Sequence, residues 1–87
     1  VATPGAIAFL QRTQLDPAKL IDRHRHGDWG DIGLEDSRAN DESVAHEGDL
    51  RRQQRVLSEF TSSTGEKLWI VTEFDRSVTT LLLPAEY

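Results

Sequence analysis

The stretch KLWIVTEFDRSVTTLLL, residues 67–83, decides the fold. Its two ends are dense in β-branched, aromatic and aliphatic residues, the composition of strands, and Asp75-Arg76-Ser77 interrupts them with turn-forming side chains. An Asp opening such a turn accepts from the backbone two residues on, so strands over 67–74 and 78–83 are expected to pair through an Asx-turn. Alternation sends Leu68, Ile70, Thr72 and Phe74 to one face, and Trp69, Val71 and Glu73 to the other. The Leu68 face is the greasier and is expected to lie under helices. Working back, TSSTG over 61–65 is long enough for a type I turn closed by a left-handed Gly65, which places a first strand over 54–60. The result is a three-stranded antiparallel meander.

Upstream of the strands the period changes to that of helices. Thr3-Pro4 supplies an N-cap and a first-turn proline, and Ala6, Ile7, Phe9 and Leu10 follow on one greasy side. Asp16-Pro17 repeats the device, with Leu15 and Leu20 spaced as a hydrophobic staple and Gly27 as a left-handed stop, giving a helix over 17–26. A third helix over 34–46 has few apolar positions; Leu34, Val44 and Ala45 are the ones to bury, and Asp31 is the candidate cap. The expected fold is α+β: two or three helices, then the meander, with room for an extra strand ending near Ala2. Ile7, Leu10, Leu20, Ile21, Leu57, Leu68, Ile70 and Leu82 are the expected core.

The 87 residues make a single domain, 1–87, with a core small enough that a homodimer is one route to further burial. Cysteine is absent, which removes disulfides, thiolate metal sites and cysteine nucleophiles and agrees with the cytoplasm. No apolar run reaches the roughly 18 residues of a membrane span, and no signal peptide is visible. Net charge is −5, concentrated between Asp28 and Asp49, where eight acids stand against one base, Arg38. Such a block repels nucleic acid and suits a basic protein partner. No direct nucleic-acid binding is expected.

Two polar clusters invite chemistry. In RHRHGDWGD, residues 23–31, His24 follows Leu20 by four positions and Ile21 by three, so it belongs to the buried side of its helix, bonded there to backbone. His26 suits the negative helix end, and two residues apart the imidazoles diverge by about 200 degrees, which argues against zinc. No EF-hand spacing occurs either; neither a metal nor another cofactor is expected. Trp29 needs burial or a partner, and Asp28 has no evident structural task, so both are candidate binding residues. In TEFDRS, residues 72–77, Asp75 and Arg76 are further candidates, with Glu73 and Arg76 able to pair across the turn. If the second helix crosses the sheet end, His24, Glu73 and Arg76 form a candidate catalytic set.

VATPGA at the start, RHRHGDWGD in the middle and LWIVTEFDRSVTTLLLPAEY at the end resemble a family of small proteobacterial proteins associated with plasmids and other mobile elements. The resemblance spans nearly the whole chain. Phe74 stands where the family commonly has alanine and Ala85 where it has glutamate, and the acidic middle is longer. Members carry labels such as plasmid-related protein or type I restriction modification subunit. The resemblance implies a small accessory or antirestriction partner; a methyltransferase is excluded, because there is no glycine-rich cofactor loop, no Asn-Pro-Pro motif and too little chain. A fainter similarity, in element order and in the turn before a threonine-bearing strand, is to small ribonucleases of the barnase type. That turn carries Arg76, which is no general acid near neutral pH, so such an enzyme would need His24 for the proton. The leading expectation is a non-enzymatic interaction protein acting through its acidic surface; the alternative is a small hydrolase using His24, Glu73 and Arg76.

Overall fold

Capping and alternation place the elements where the chain is punctuated. The computed structural model describes residues 1–87: helices α1 (Pro4–Thr13), α2 (Pro17–Arg25) and α3 (Leu34–Ala45), then strands β1 (Val56–Thr61), β2 (Lys67–Thr72) and β3 (Thr79–Leu82), and a 3₁₀ turn (Pro84–Glu86). The Thr3 and Asp16 side chains cap α1 and α2. The strands form an antiparallel meander in the order β1-β2-β3, so the expected α+β class is the observed one. Each strand is shorter than expected; β2 ends at Thr72, and Glu73, whose N–H reaches Val78 O at 3.0 Å, already belongs to the hairpin connection. Asp75 makes the expected Asx-turn to Ser77 N at 3.0 Å. Gly65 is left-handed at φ 86.

Register sorts the sheet into two faces. Val56, Ser58, Phe60, Leu68, Ile70, Thr72, Thr79 and Leu81 share the face under α1 and α2. There Phe60, Leu68, Ile70 and Leu81 meet Ala6, Phe9 and Leu20 in the main core, with Leu10 and Ile21 packed at its margin. Leu57, Val71 and Leu82 form a smaller cluster on the opposite face, against Trp69. Ile7 is a correction: it is 47% exposed, because it lies about 100° around the helix from Ala6 and the Ala6-Phe9 stripe takes the sheet. Phe74, beyond the end of β2, is half exposed.

The third helix corrects a larger expectation. Leu34, Val44 and Ala45 are exposed, and the buried residues of α3 are Asn40 and Ser43. Leu57 turns its backbone groups outward from β1, and Asn40 meets both: its Nδ2 donates to Leu57 O at 2.7 Å and its Oδ1 accepts from Leu57 N at 3.1 Å. Ser43 does the same for Gln54, donating to its carbonyl at 2.6 Å and accepting from its N–H at 2.8 Å. Further along the edge, Glu59 N donates to Trp29 O at 3.1 Å and Asp31 N to Glu59 O at 2.7 Å, a bridge that brings Gly30 against the strand. Asp31 therefore does not cap α3, whose N-cap is Gly33 and which has no side-chain cap; the Asp31 carboxylate accepts from Thr61 N at 3.1 Å.

The opposite edge is closed by the chain's beginning. Leu81 N donates to Val1 O at 2.8 Å and Thr3 N to Leu81 O at 3.0 Å, so the extra strand near Ala2 is a single parallel bridge. Glu86 holds this segment in place, accepting from Thr3 Oγ1 at 2.6 Å, Gly5 N at 3.2 Å and Leu83 N at 2.9 Å. Both sheet edges thus have partners for the backbone groups that would otherwise invite another strand.

Candidate functional site

The buried stripe of α2 is Leu20 and His24, four residues apart and so on one helix face. His24 is 4% exposed, and its partners are side chains of the sheet, which corrects the expected backbone bond. Nδ1 lies 2.6 Å from Ser58 Oγ, Nε2 lies 2.8 Å from Thr72 Oγ1, and Thr72 Oγ1 lies 2.8 Å from Thr79 Oγ1. Cross-strand register aligns these hydroxyls on the helix-covered face, with Ser58 opposite Ile70 and Thr72 opposite Thr79.

The hydroxyl count sets the direction of the chain. Ser58 is fully buried and its hydroxyl has no partner except His24. Were Nδ1 the donor, the Ser58 proton would be stranded, at a cost of about 1–3 kcal/mol. The favoured arrangement has Ser58 O–H donating to Nδ1 and Nε2–H donating to Thr72, which shares one further hydrogen bond with Thr79. The Thr72–Thr79 pair, half-buried at the end, keeps one hydroxyl proton to give away. His24 is a neutral imidazole: burial, then the nearby Arg76 charge, lowers it from 6.5 to about 4. Neither ring nitrogen is left as a free base.

His24, Thr72 and Thr79 border a cavity of about 340 Å³, walled on its apolar side by Trp29, Val44 and Val56 and completed by Arg25, Glu47 and Arg76. Trp29 is pinned inside, 7% exposed, with its indole N–H donating to Asp41 Oδ1 at 2.9 Å and its ring edge-to-face with His24 at 5.6 Å. It is therefore no exposed docking residue. Asp28 has structural work after all: Arg23 Nε donates to its carboxylate at 2.6 Å and Gly30 N at 3.2 Å, and these two bonds hold it below the usual carboxylate range. Arg23 in turn stacks over Phe60, 4.6 Å from the ring centre. Asp75 holds its turn at the surface, where Ser77 lowers its carboxyl.

Arg76 is the residue the sequence placed best and understood least. Its backbone is left-handed, φ 62, and its N–H closes the turn to Glu73 O at 2.9 Å. That conformation aims the guanidinium back across the hairpin, where Nε donates to Glu47 at 2.9 Å, one amino nitrogen to Gln54 O at 2.7 Å and the other to Ser43 Oγ at 3.1 Å. The expected pair with the Glu73 carboxylate is replaced by Glu47. Arg76 clasps α3, the segment before β1 and the hairpin together. Glu73 is exposed and absent from the cavity wall, so His24 and Arg76 share one cavity while the third member of the candidate catalytic set stays outside.

No three His, Asp or Glu side chains converge as metal ligands. His26 sits at the end of α2, its Nδ1 at 2.7 Å from Asp22 O. Sequence reasoning missed Ser58, Thr79 and Arg25. Alternation already put Thr72 beside Leu68 and Ile70, and the same count backward from Phe60 reaches Ser58; Thr79 needed the hairpin register. The chain matches no family model, no curated protein and no solved structure with which it was compared. No helix is long and apolar enough to cross a membrane.

Proposed function

We propose that this chain is a non-enzymatic interaction protein, a cytoplasmic accessory factor of a bacterial mobile element, that docks on a basic protein surface through the outside of α3. The carrying observation is how α3 is attached. Asn40 and Ser43 fix it to the β1 edge and Asp41 binds Trp29, so Glu35, Asp36 and Glu42 remain exposed, and none of the three is in an ion pair within the chain. Leu34, 67% exposed, adds apolar contact area on the same helix. Unpaired acids beside an exposed aliphatic side chain suit a partner with basic residues around an apolar patch. The association with mobile elements rests on the GDWGD and TEFDRS-containing motifs and the family they resemble.

The hydrolase alternative has less support. His24 spends both ring nitrogens on hydroxyls, and Glu73 lies off the cavity. The test is a triple reversal of exposed acids of α3, Glu35→Lys with Asp36→Lys and Glu42→Lys. It is expected to keep the helix content while weakening, at least about ten-fold, the affinity for a protein partner first captured on the wild-type chain by cross-linking, with wild-type binding falling as salt rises. Undiminished binding by the triple variant would reject α3 as the docking face, and cleavage of RNA by the purified wild type that is lost in His24→Gln would favour the alternative.

A further inference from the structure

We propose that the cavity between α2, α3 and the β2–β3 hairpin is a binding site for a small carboxylate with an apolar body. The proposal goes beyond the α3 docking face and does not rest on it. Its first support is the polarity of the hydroxyl chain. Thr72 and Thr79 share a single hydrogen bond between them, so one hydroxyl hydrogen of that pair is unspent at the cavity floor, and no acceptor is left on His24. The floor therefore offers a hydrogen-bond donor to an acceptor on the ligand.

Charge at the wall points the same way. Glu47 is neutralised by Arg76, and Arg76 spends its guanidinium on Glu47, Gln54 O and Ser43. Arg25, the last residue of α2, lines the cavity, is exposed and has no intramolecular partner. A free guanidinium and a free hydroxyl donor on one cavity are complementary to a carboxylate. The Trp29, Val44 and Val56 wall takes the rest of the molecule, and about 340 Å³ is at the small end of ligand sites, enough for one ring and a short acidic arm.

Phenylacetate titrated into the ¹⁵N-labelled full chain tests this directly. The Trp29 indole N–H signal is expected to move saturably while that of Trp69, on the other sheet face, stays. Phenylacetamide should bind more weakly and phenethylamine not at all. Arg25→Gln and Thr79→Val should each weaken phenylacetate about ten-fold, and Thr79→Ser should restore it. Arg25 is on the surface, so its variant remains informative if Thr79→Val loses its fold. A short peptide ending in phenylalanine, compared with its C-terminal amide, tells a peptide terminus from a free small molecule as the source of the carboxylate. A static Trp29 signal at about 10 mM phenylacetate, where a millimolar site is mostly filled, would overturn the proposal. So would amine and carboxylate binding alike, or Arg25→Gln binding as tightly as wild type.

Discussion

Helices α1 and α2 and helix α3 meet the same sheet by opposite means. The first two lie on its face and bury Ala6, Phe9 and Leu20 against Phe60, Leu68, Ile70 and Leu81. The third stands at its edge and buries an amide and a hydroxyl, Asn40 and Ser43, that replace the strand a free edge lacks. On the face, attachment scales with apolar area and tolerates small shifts. At the edge it depends on bonds of fixed length whose loss strands a backbone donor and acceptor. Helix α3 can therefore display acids and aliphatics to solvent, because little of its outer surface is needed to hold it.

The largest expected effect lies on the edge. A Cβ at Gly30 would come 2.1 Å from Glu59 O and 2.9 Å from the Phe60 ring, in a backbone at φ +71 that side chains rarely adopt. Gly30→Ala is expected to cost about 4 kcal/mol or more, read by denaturant unfolding. Gly33→Ala, with nothing within 4 Å, is the control and should stay close to wild type. Equal stability of the two variants would mean that the loop does not bridge β1.

The comparison sharpens with one truncation on each side. Phe9→Ala should remove about 3–5 kcal/mol and lower protection from hydrogen exchange throughout the domain. Asn40→Ala should cost about 2–3 kcal/mol, and Asn40→Leu should not recover it, since the stranded groups of Leu57 are polar. Exchange should accelerate first in α3 and β1. Rescue by leucine would make α3 an apolar helix like the others.

Acid offers the gentlest probe, acting where face and edge meet at His24. Its pKa is near 6.5 unfolded and about 4 folded, so the unfolded chain binds more protons between those values and stability falls as pH drops through that window. The loss is up to about 3 kcal/mol, reduced by water reaching the ring from the adjoining cavity. Above pH 6.5 this contribution is fully present. Melting temperature followed from pH 7 to pH 4.5 should decline with a slope that His24→Gln flattens; an unchanged slope in the variant would assign the decline to other groups.

Local rules in the chain determined much of this. Thr3-Pro4 and Asp16-Pro17 start helices because a side-chain oxygen and a fixed φ satisfy the first turn wherever they occur, and alternation through Leu68, Ile70 and Thr72 follows from the strand's period of two. The same arithmetic put His24 inward beside Leu20. Tertiary structure decided what periodicity cannot carry. The expectation for α3 looked for apolar residues to bury, whereas Asn40 and Ser43 are buried because they match orphan backbone groups on β1 and the segment just before it, 17 and 11 residues away in sequence. Asp28, Trp29 and Arg76 looked available as isolated letters and became occupied once Arg23, Asp41 and Glu47 were brought beside them, and Asp31, expected to cap α3, turned instead to Thr61. The unspent hydroxyl proton of the Thr72–Thr79 pair ends a chain of hydrogen bonds running through four secondary elements, and it exists only when all of them are in place.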